Sequence, residues 1–403
     1  MSPTKPLAGL LALALLCGPA AAADSVIKIG VLTDMSGPNS DLAGAGSVLA
    51  ARLAAEDGER LFPGKKIEVV SADHQNKADI ASSIASRWFD IEGVDVIVDV
   101  PFSSAALAVQ EVARRREKVV LFSGPGSSDL TGKACSATSF HWAYDTQAVA
   151  NGTAGSVTKA GGDTWFFLTS DYAFGHALER DARAVVIANG GKVLGSVRHP
   201  VYTPDFSSFL LQAQNSKAKV IGLANAATDA VNTIRQASEF GIVENGQQLA
   251  GLLVFLTDVH SLGLQAAKKL RLTESFYWDQ NDATRDWSKR FSDRFDERKP
   301  TMVHAGVYSA VNHYLKAVAD VGSTDGKAVA SKMHATPVSD FMTKNANILP
   351  NGWVDRDFYL FEVKSPSESK GAWDYYKLVA TIPAVQAKPR VALQDCPISA
   401  RAQ

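Results

Sequence analysis

The stretch VDVIVDVPFSSAALAVQEVARRREKVVLF, residues 94–122, joins two short runs of β-branched residues through a longer amphipathic segment. The two runs predict strands at 94–100 and 119–122. Apolar residues at helical spacing between them, with an arginine-rich opposite face, predict a helix at 104–118. A strand–helix–strand unit of this kind is typical of a parallel sheet covered by helices.

The same alternation extends along the chain in both directions. Strands are predicted first at 27–32 and 67–71, then at 165–169, 193–197, 220–224, 252–255 and 274–278, and β-like runs at 357–363 and 373–381. Helices are predicted at 43–60, 78–91, 147–159, 174–189, 206–215, 228–240, 283–298, 304–321 and 326–334. The pattern restarts after residue 145, which predicts an α/β protein with two consecutive α/β units, each forming a lobe.

The elements after residue 265 are too few and too mixed for a third domain, and we expect them to complete the two lobes. The chain then crosses between lobes near residues 145, 277 and 355, and three such crossovers form a hinge. The expected boundaries are 24–145 with 277–354 for lobe 1, 146–276 with 355–390 for lobe 2, and a tail at 391–403.

The first 23 residues predict a signal peptide. Lys5 gives a positive start, residues 7–17 form an apolar run too short to span a bilayer, and Ala21–Ala23 make a small-residue cleavage site before Asp24. A lipid-attachment site at Cys17 is the alternative, but a small residue is needed before that cysteine and Leu16 is not small. We therefore expect an exported, periplasmic protein.

Composition narrows the class of protein further. With 41 Lys and Arg against 42 Asp and Glu, nothing predicts a nucleic-acid partner. In an oxidising compartment Cys135 and Cys396 are expected to form a disulfide, with two buried thiols as the alternative. They have no histidine at ligand spacing, so no metal site is predicted.

Three loops that follow predicted strands contain candidate ligand-binding residues. Ligands of open α/β sheets bind beyond the carboxyl ends of the strands. The small and hydroxyl residues there are Ser36, Ser103 and Ser104, and Ser123, Gly124 and Pro125. Serines at helix starts donate to carboxylates, but they also serve simply as helix caps, which is the better interpretation of any single one.

Aromatic and amide residues at the expected crossovers and second-lobe loops complete the candidate set. They are Trp142, Tyr172, Asn225, Tyr277 and Asp279. Aromatic walls with a few placed donors are typical of a small-molecule site. Packing within the core or between lobes is the alternative, at even odds for Trp142 and Tyr277.

Motifs for cofactors and catalysis are not found. The stretch 44–49 has two glycines of a dinucleotide fingerprint but Leu49 in place of the third, and it lies within a predicted helix. No phosphate-binding loop, zinc-protease motif or nucleophile elbow occurs. We expect no cofactor and no enzyme activity, although catalytic groups distant in sequence leave an exported α/β enzyme as a remote alternative.

Three stretches carry a resemblance to a known family: 29–37 (IGVLTDMSG), 171–175 (DYAFG) and 202–206 (YTPDF). By the order and spacing of these stretches, the chain resembles the type I periplasmic solute-binding proteins of ABC importers, the group of the Leu/Ile/Val-binding protein. The resemblance implies two Rossmann-like lobes, three hinge crossovers and a ligand enclosed by lobe closure. It also implies hydrogen-bond donors to the ligand's carboxylate from the loops of Ser103–Ser104 and 123–125, with Tyr172 and Asn225 facing the ligand. It implies importer permease subunits as partners and a monomer.

Two further features concern the ligand class. Amino-acid-binding relatives have a glutamate that pairs with the ligand's ammonium, and our alignment puts Lys268 at that position. The stretches 274–279 and 300–308 resemble a subgroup associated with benzoate-like and cinnamate-like acids. We therefore expect an aromatic carboxylate, with a branched-chain amino acid or amide receptor, or a sensor module, as alternatives.

Overall fold

The computed structural model describes residues 26–388 and 394–398, so the predicted signal peptide lies outside the described residues, as does most of the predicted tail. The strands, in chain order, are β1 Ile27–Thr33, β2 Ile67–Asp73, β3 Val96–Asp99, β4 Val119–Phe122, β5 Ser139–His141, β6 Thr164–Ser170, β7 Lys192–His199, β8 Val220–Ala224, β9 Gln248–Gly251, β10 Arg271–Glu274, β11 Asn347–Ile348, β12 Val354–Asp355, β13 Phe358–Val363 and β14 Tyr376–Ile382.

The α-helices follow the same order of alternation. They are α1 Gly44–Gly58, α2 Ala78–Asp90, α3 Ser103–Arg115, α4 Thr146–Val149, α5 Gly155–Lys159, α6 Ala173–Ala188, α7 Ser207–Asn215, α8 Ala227–Glu239, α9 Leu256–Leu262, α10 Leu264–Ala267, α11 Asp282–Ser292, α12 Met302–Val321, α13 Gly326–Ala335 and α14 Ala384–Ala387. A π-helical turn at Ala150–Ala154 joins α4 to α5. Within the described part of the chain, no helix is both long and apolar enough to cross a membrane.

Lobe 1 is built on a five-stranded parallel sheet in the order β2-β1-β3-β4-β5. Helices α1 and α12 pack together on one face, and α2 and α3 on the other. Gly30 in β1 is required by this packing, because a Cβ there would lie 2.5 Å from the ring of Trp88 on α2. The sequence between β3 and β4 thus forms the predicted strand–helix–strand unit.

Lobe 2 repeats the architecture with a four-stranded parallel sheet in the order β7-β6-β8-β9. A second, antiparallel sheet, β10-β13-β14, extends it. The chain passes between the lobes at 142–145, 275–281 and 356–357, so the structure has the expected two α/β lobes and three-crossover hinge. The finer domain boundaries stay a prediction.

Two predicted strands are wrong in position. Residues 252–255 follow β9 instead of forming a strand, and 275–278 belong to the crossover after β10. Both stretches are strongly apolar and buried, but they are buried between packed elements and not within a sheet. A short apolar run does not distinguish these two kinds of burial.

Charged side chains connect the lobes on the hinge side, and we call Asp129, Asp145, Arg180, Asp181 and Lys388 the hinge ion network. Lys388 pairs with Asp145, and their side chains are 2% and 0% exposed. Arg180 of α6 reaches Asp129 of lobe 1 and neighbouring Asp181, at 3.0 Å each. Nearby, Cys135 and Cys396 form the expected disulfide, with their Cα atoms 5.6 Å apart.

Candidate functional site

A cavity lies between the lobes at the carboxyl ends of their parallel strands, and we call it the cleft cavity. Its lining comes from both lobes: Asn39, Leu42, Pro101, Ser103, Gly124, Gly126, Tyr144, Tyr172, Phe174, Ala226, Leu253 and Phe255. The space left is about 10 Å³, enough for about one water molecule. The lobes are therefore closed, and a solute enters this site only when they separate.

Glycines let the loop after β4 form the lobe 1 side of the cavity. A Cβ on Gly124 would lie 2.6 Å from the Pro101 side chain and 2.7 Å from Asp99 Oδ1. A Cβ on Gly126 would lie 2.8 Å from the rings of Phe174 and Tyr144. Any larger residue would collide at both positions, so the loop backbone approaches the cavity closely.

Three helices begin at the cavity without a side-chain cap. The residues preceding α3, α6 and α8 are Phe102, Tyr172 and Ala226, and none of them makes a capping hydrogen bond. The first N–H groups of a helix have no partner within it and carry partial positive charge. Since no charged residue lines the cavity, these helix starts suit an anionic group.

Aromatic rings close the cavity from both sides. Phe102 of lobe 1 and Tyr172 of lobe 2 are stacked, with centroids 4.6 Å apart and planes 6° from parallel. Tyr144 meets Phe255 edge to face at 5.8 Å, and its hydroxyl donates to the Gly124 carbonyl at 2.6 Å. The walls therefore offer flat apolar surfaces, which suit a planar ligand.

Two buried carboxyl groups lie behind the lining. Asp99 ends β3 and accepts a hydrogen bond from Thr33 Oγ1 at 2.7 Å, while Asp258 of α9 accepts from the Phe255 N–H at 2.8 Å. Burial raises the pKa of each carboxyl to about 7. Both are near enough to Tyr144 to contribute, after burial, to the raised pKa of its hydroxyl. Below pH 7 neither repels an anion strongly.

Three of the predicted site residues line the cleft cavity: Ser103, Gly124 and Tyr172. Ser103 is already engaged, because its Oγ accepts the Ser127 N–H at 3.1 Å. Tyr172 both precedes α6 and forms one half of the ring stack. These three come together from separate loops, as the positions of the strand ends led us to expect.

The other predicted lobe 1 residues do not line this cavity. Ser36 donates to Asp73 at 2.7 Å, and the carbonyl of Pro125 is 2.7 Å from His141 Nε2. Ser104 follows Ser103 in the first turn of α3. The buried Ser123 hydroxyl has no hydrogen-bond partner among the described residues and lies beside α12, where a Cβ on Gly306 would be 3.2 Å away.

The remaining predicted residues have neighbours outside the cleft cavity. The fully buried Trp142 donates to Ser309 Oγ at 2.8 Å, within lobe 1. The Asn225 amide contacts His199 and Thr233, the Tyr277 hydroxyl donates to the Trp373 carbonyl, and Asp279 pairs with Arg285. Their roles in ligand binding stay predictions.

Sequence reasoning missed several lining residues, above all Tyr144, Leu253 and Phe255. Tyr144 lies in the first crossover, and the predicted position of that crossover near residue 145 could have identified it as a cleft residue. Leu253 and Phe255 were hidden in a stretch predicted as a strand. Lys268, which we aligned with an ammonium-binding glutamate, is exposed at the end of α10 and is not among the lining residues of the cleft cavity, and its alignment stays a prediction.

Two α/β lobes around a closable cavity, joined by three crossovers, define the class of two-lobed solute-binding receptors. The comparison with family models agrees: the periplasmic binding protein family matches residues 26–372. The chain belongs to this family. Its members bind solutes for ABC transporters and are not enzymes, so this chain is a solute-binding protein and not an enzyme.

Solved structures agree over nearly the full length. A periplasmic binding protein from Burkholderia mallei is 49% identical, with 93% of this chain and 99% of that chain covered and a TM-score of 0.90. A branched chain amino acid ABC transporter periplasmic ligand-binding protein from Burkholderia xenovorans is 37% identical, covering 93% and 100%, with a TM-score of 0.83.

A more distant structure has a known ligand. A solute binding protein of an ABC transporter from R. palustris, in complex with benzoate, is 18% identical, covers 89% of this chain and 97% of that chain, and has a TM-score of 0.78. At that identity the likeness concerns the fold alone. A comparison with curated proteins finds no match.

Proposed function

We propose that this solute-binding receptor captures a small organic acid, preferably an aromatic carboxylate, in the periplasm and delivers it as a monomer to the permease subunits of an ABC importer. The observation that carries the proposal is the cleft cavity, where three uncapped helix starts meet a lining of aromatic residues and no charged one. An anion is held by N–H groups there, and a ring is held between aromatic walls.

Lobe closure supplies the mechanism of capture. The first turn of α3 belongs to lobe 1, and those of α6 and α8 belong to lobe 2. The space left in this structure is about 10 Å³, so a bound ligand holds the lobes slightly farther apart than they are here. A carboxylate between these helix starts contacts both lobes only when they lie close together, so its binding favours a closed arrangement over an open one. The Phe102–Tyr172 stack also forms across the lobes, and it adds to the stability of that state.

The ligand's other end decides between the two receptor hypotheses. An α-amino acid needs a partner for its ammonium group, and Leu253 and Phe255 supply none where lobe 2 meets the cavity. The candidates behind the lining are Asp99 and Asp258, and the pKa of each carboxyl, raised to about 7 by burial, disfavours the charged form. A branched-chain amino acid, the solute class in the name of the Burkholderia xenovorans relative, stays the second candidate because of these carboxyls.

Thermal-shift measurements on the purified protein distinguish these ligands. Benzoate and 4-hydroxybenzoate are expected to raise the melting temperature, by about 3 °C at a hundredfold excess over the dissociation constant. Benzamide, which has the same shape without the charge, is the matched control and should give a much smaller shift. Stabilisation by leucine or valine, and by no aromatic acid, would overturn the aromatic-acid proposal.

A further inference from the structure

A second cavity lies at the hinge, away from the lining of the cleft, and we call it the Arg356 pocket. Its volume is about 490 Å³. Its lining residues are Asn281, Phe341, Met342, Thr343, Lys344, Asn345, Ala346, Asn347, Asp355, Arg356, Asp357 and Tyr359. It shares no residue with the cleft cavity, so the solute-binding site does not account for it.

Arg356 is the unusual residue of this pocket. It lies in the third crossover and is 3% exposed, yet Nε, Nη1 and Nη2 have no hydrogen-bond partner among the described residues. An arginine stays protonated in proteins, so it cannot escape burial by losing its charge. An unpaired buried charge is strongly unfavourable, which means that the guanidinium requires an acceptor.

Two neighbouring carboxylates, Asp340 and Asp357, accept hydrogen bonds from groups other than Arg356. Asp340 accepts the N–H groups of Met342 and Thr343, at 2.8 and 3.2 Å, and pairs with the Ser309 hydroxyl. Asp357 Oδ1 accepts the Ala384 N–H at 2.9 Å. Within the described ranges no ion pair joins Arg356 to an acidic residue. The protein therefore places carboxylate charge near Arg356, but these carboxylates do not accept hydrogen bonds from its guanidinium.

The rest of the lining favours an acceptor from outside. Lys344 provides a second cation, and Thr343 and the asparagines 281, 345 and 347 provide polar groups. The negative charges of Asp355 and Asp357 balance the positive charges of Lys344 and Arg356. The lining therefore has no net positive charge to attract a polyanion. A planar, singly charged oxyanion fits the fork of a guanidinium best.

We propose that the Arg356 pocket binds a small oxyanion of the carboxylate type, which hydrogen-bonds to the Arg356 guanidinium. The site is new relative to the cleft and does not depend on the identity of the transported solute. Asn281 ends the second crossover and Arg356 lies in the third, while 341–347 belongs to lobe 1. A bound oxyanion thus joins two of the three hinge segments.

The test uses the purified full chain in a buffer free of oxyanions, with melting temperatures measured in acetate, phosphate or chloride at equal ionic strength. Acetate should raise the melting temperature of the wild type above that in chloride, saturably and by about 3 °C at a hundredfold excess over its dissociation constant. Phosphate should raise it less. Isothermal titration with acetate should show a binding site that the Arg356→Met variant lacks.

Variants assign the effect to this pocket. Arg356→Met should abolish the acetate shift, and Arg356→Lys, which keeps the charge but loses the planar fork, should weaken it. Arg87→Met removes an exposed arginine paired with Glu92 and should leave the shift intact. Tyr172→Ala alters the cleft cavity and should also leave the acetate shift intact. A failure of the Arg356 pocket proposal can therefore be distinguished from a failure of the proposed transport function.

Two results would overturn the proposal. One is an equal acetate shift in the wild type, Arg356→Met and Arg356→Lys, which would locate binding elsewhere. The other is a wild type that responds to acetate no more than to chloride, which would mean that only water satisfies the guanidinium.

Discussion

The cleft cavity and the hinge ion network both lie between the lobes, but they treat polar groups in opposite ways. At the hinge, buried Lys388 pairs with Asp145, and Arg180 reaches Asp129. At the cleft, helices α3, α6 and α8 begin with their first N–H groups uncapped and no charged side chain nearby in the lining. The comparison shows that the charged groups of the hinge ion network pair with one another within the protein, whereas the helix N–H groups at the cleft are left for a ligand.

The largest expected effect concerns the hinge side. Lys388→Met leaves Asp145 buried without its cation, and removing one partner of a buried pair costs about 3–5 kcal/mol. Urea denaturation should show this loss in the free energy of unfolding. The double variant Lys388→Met with Asp145→Asn, which keeps an acceptor for the N–H of Ala148, should lose less than Lys388→Met alone.

A surface pair provides the control for this prediction. Lys133 pairs with the same Asp129 that Arg180 contacts, but its side chain is 72% exposed. Lys133→Met should change the free energy of unfolding by about 0–1 kcal/mol. If Lys388→Met is no more destabilising than Lys133→Met, the hinge network does not hold the lobes as described.

The second prediction concerns pH and the carboxyl behind the cleft. The pKa of Asp99 is raised to about 7 by burial, above its value in the unfolded chain. Its protonated form is therefore favoured by folding, and the resulting stability is lost as the pH rises toward 7. The Asp99→Asn variant does not have this pH-dependent loss. Its free energy of unfolding, relative to that of the wild type, should therefore rise by about 2 kcal/mol between pH 5 and 7.

Urea denaturation of both proteins at pH 5, 6 and 7 measures this difference. Asp258 and Glu274 also have pKa values raised by burial, but both residues are present in the variant and in the wild type. The difference between the two proteins therefore reports the titration of Asp99. A difference that stays constant over this pH range would show that Asp99 is ionised throughout it.

The smallest expected effect is on affinity. Tyr172→Ala removes the ring that stacks on Phe102 and lines the cleft cavity, and should weaken ligand binding about tenfold. Tyr172→Phe keeps the stack and should bind nearly as the wild type does. Calorimetric titration with the ligand identified by thermal shift gives both values. Equal, tenfold losses in the two variants would assign the effect to the hydroxyl and not to the ring.

Much of the fold was predictable because its signals are local. Strands β3, β4 and β8 of the parallel sheets are short runs with β-branched residues, and β8 begins and ends at the predicted residues. Strand β5 was missed because Ser139–His141 is too short to show a period. The apolar run after β9 was misassigned because a short apolar run shows that residues are buried, but not whether a sheet or other packed elements bury them.

The site was predictable only in part, for a related reason. Ser103 and Tyr172 were found because helix starts after strands have a sequence signature. Trp142 and Tyr277 share the composition of cleft residues, but only three-dimensional packing decides which way their rings face. Arg356 had no signal at all, since the absence of a partner is not a property of sequence.

The disulfide between Cys135 and Cys396 has a mechanical consequence. It attaches Cys396, which follows α14 in the sequence, to the loop before β5 in lobe 1, while α14 itself packs against α4 beside the first crossover. The two lobes are thus connected at four points, which are the three backbone crossovers and the disulfide. Such an arrangement allows rotation about one axis while resisting torsion about the others, so reduction should widen the range of orientations that the halves sample.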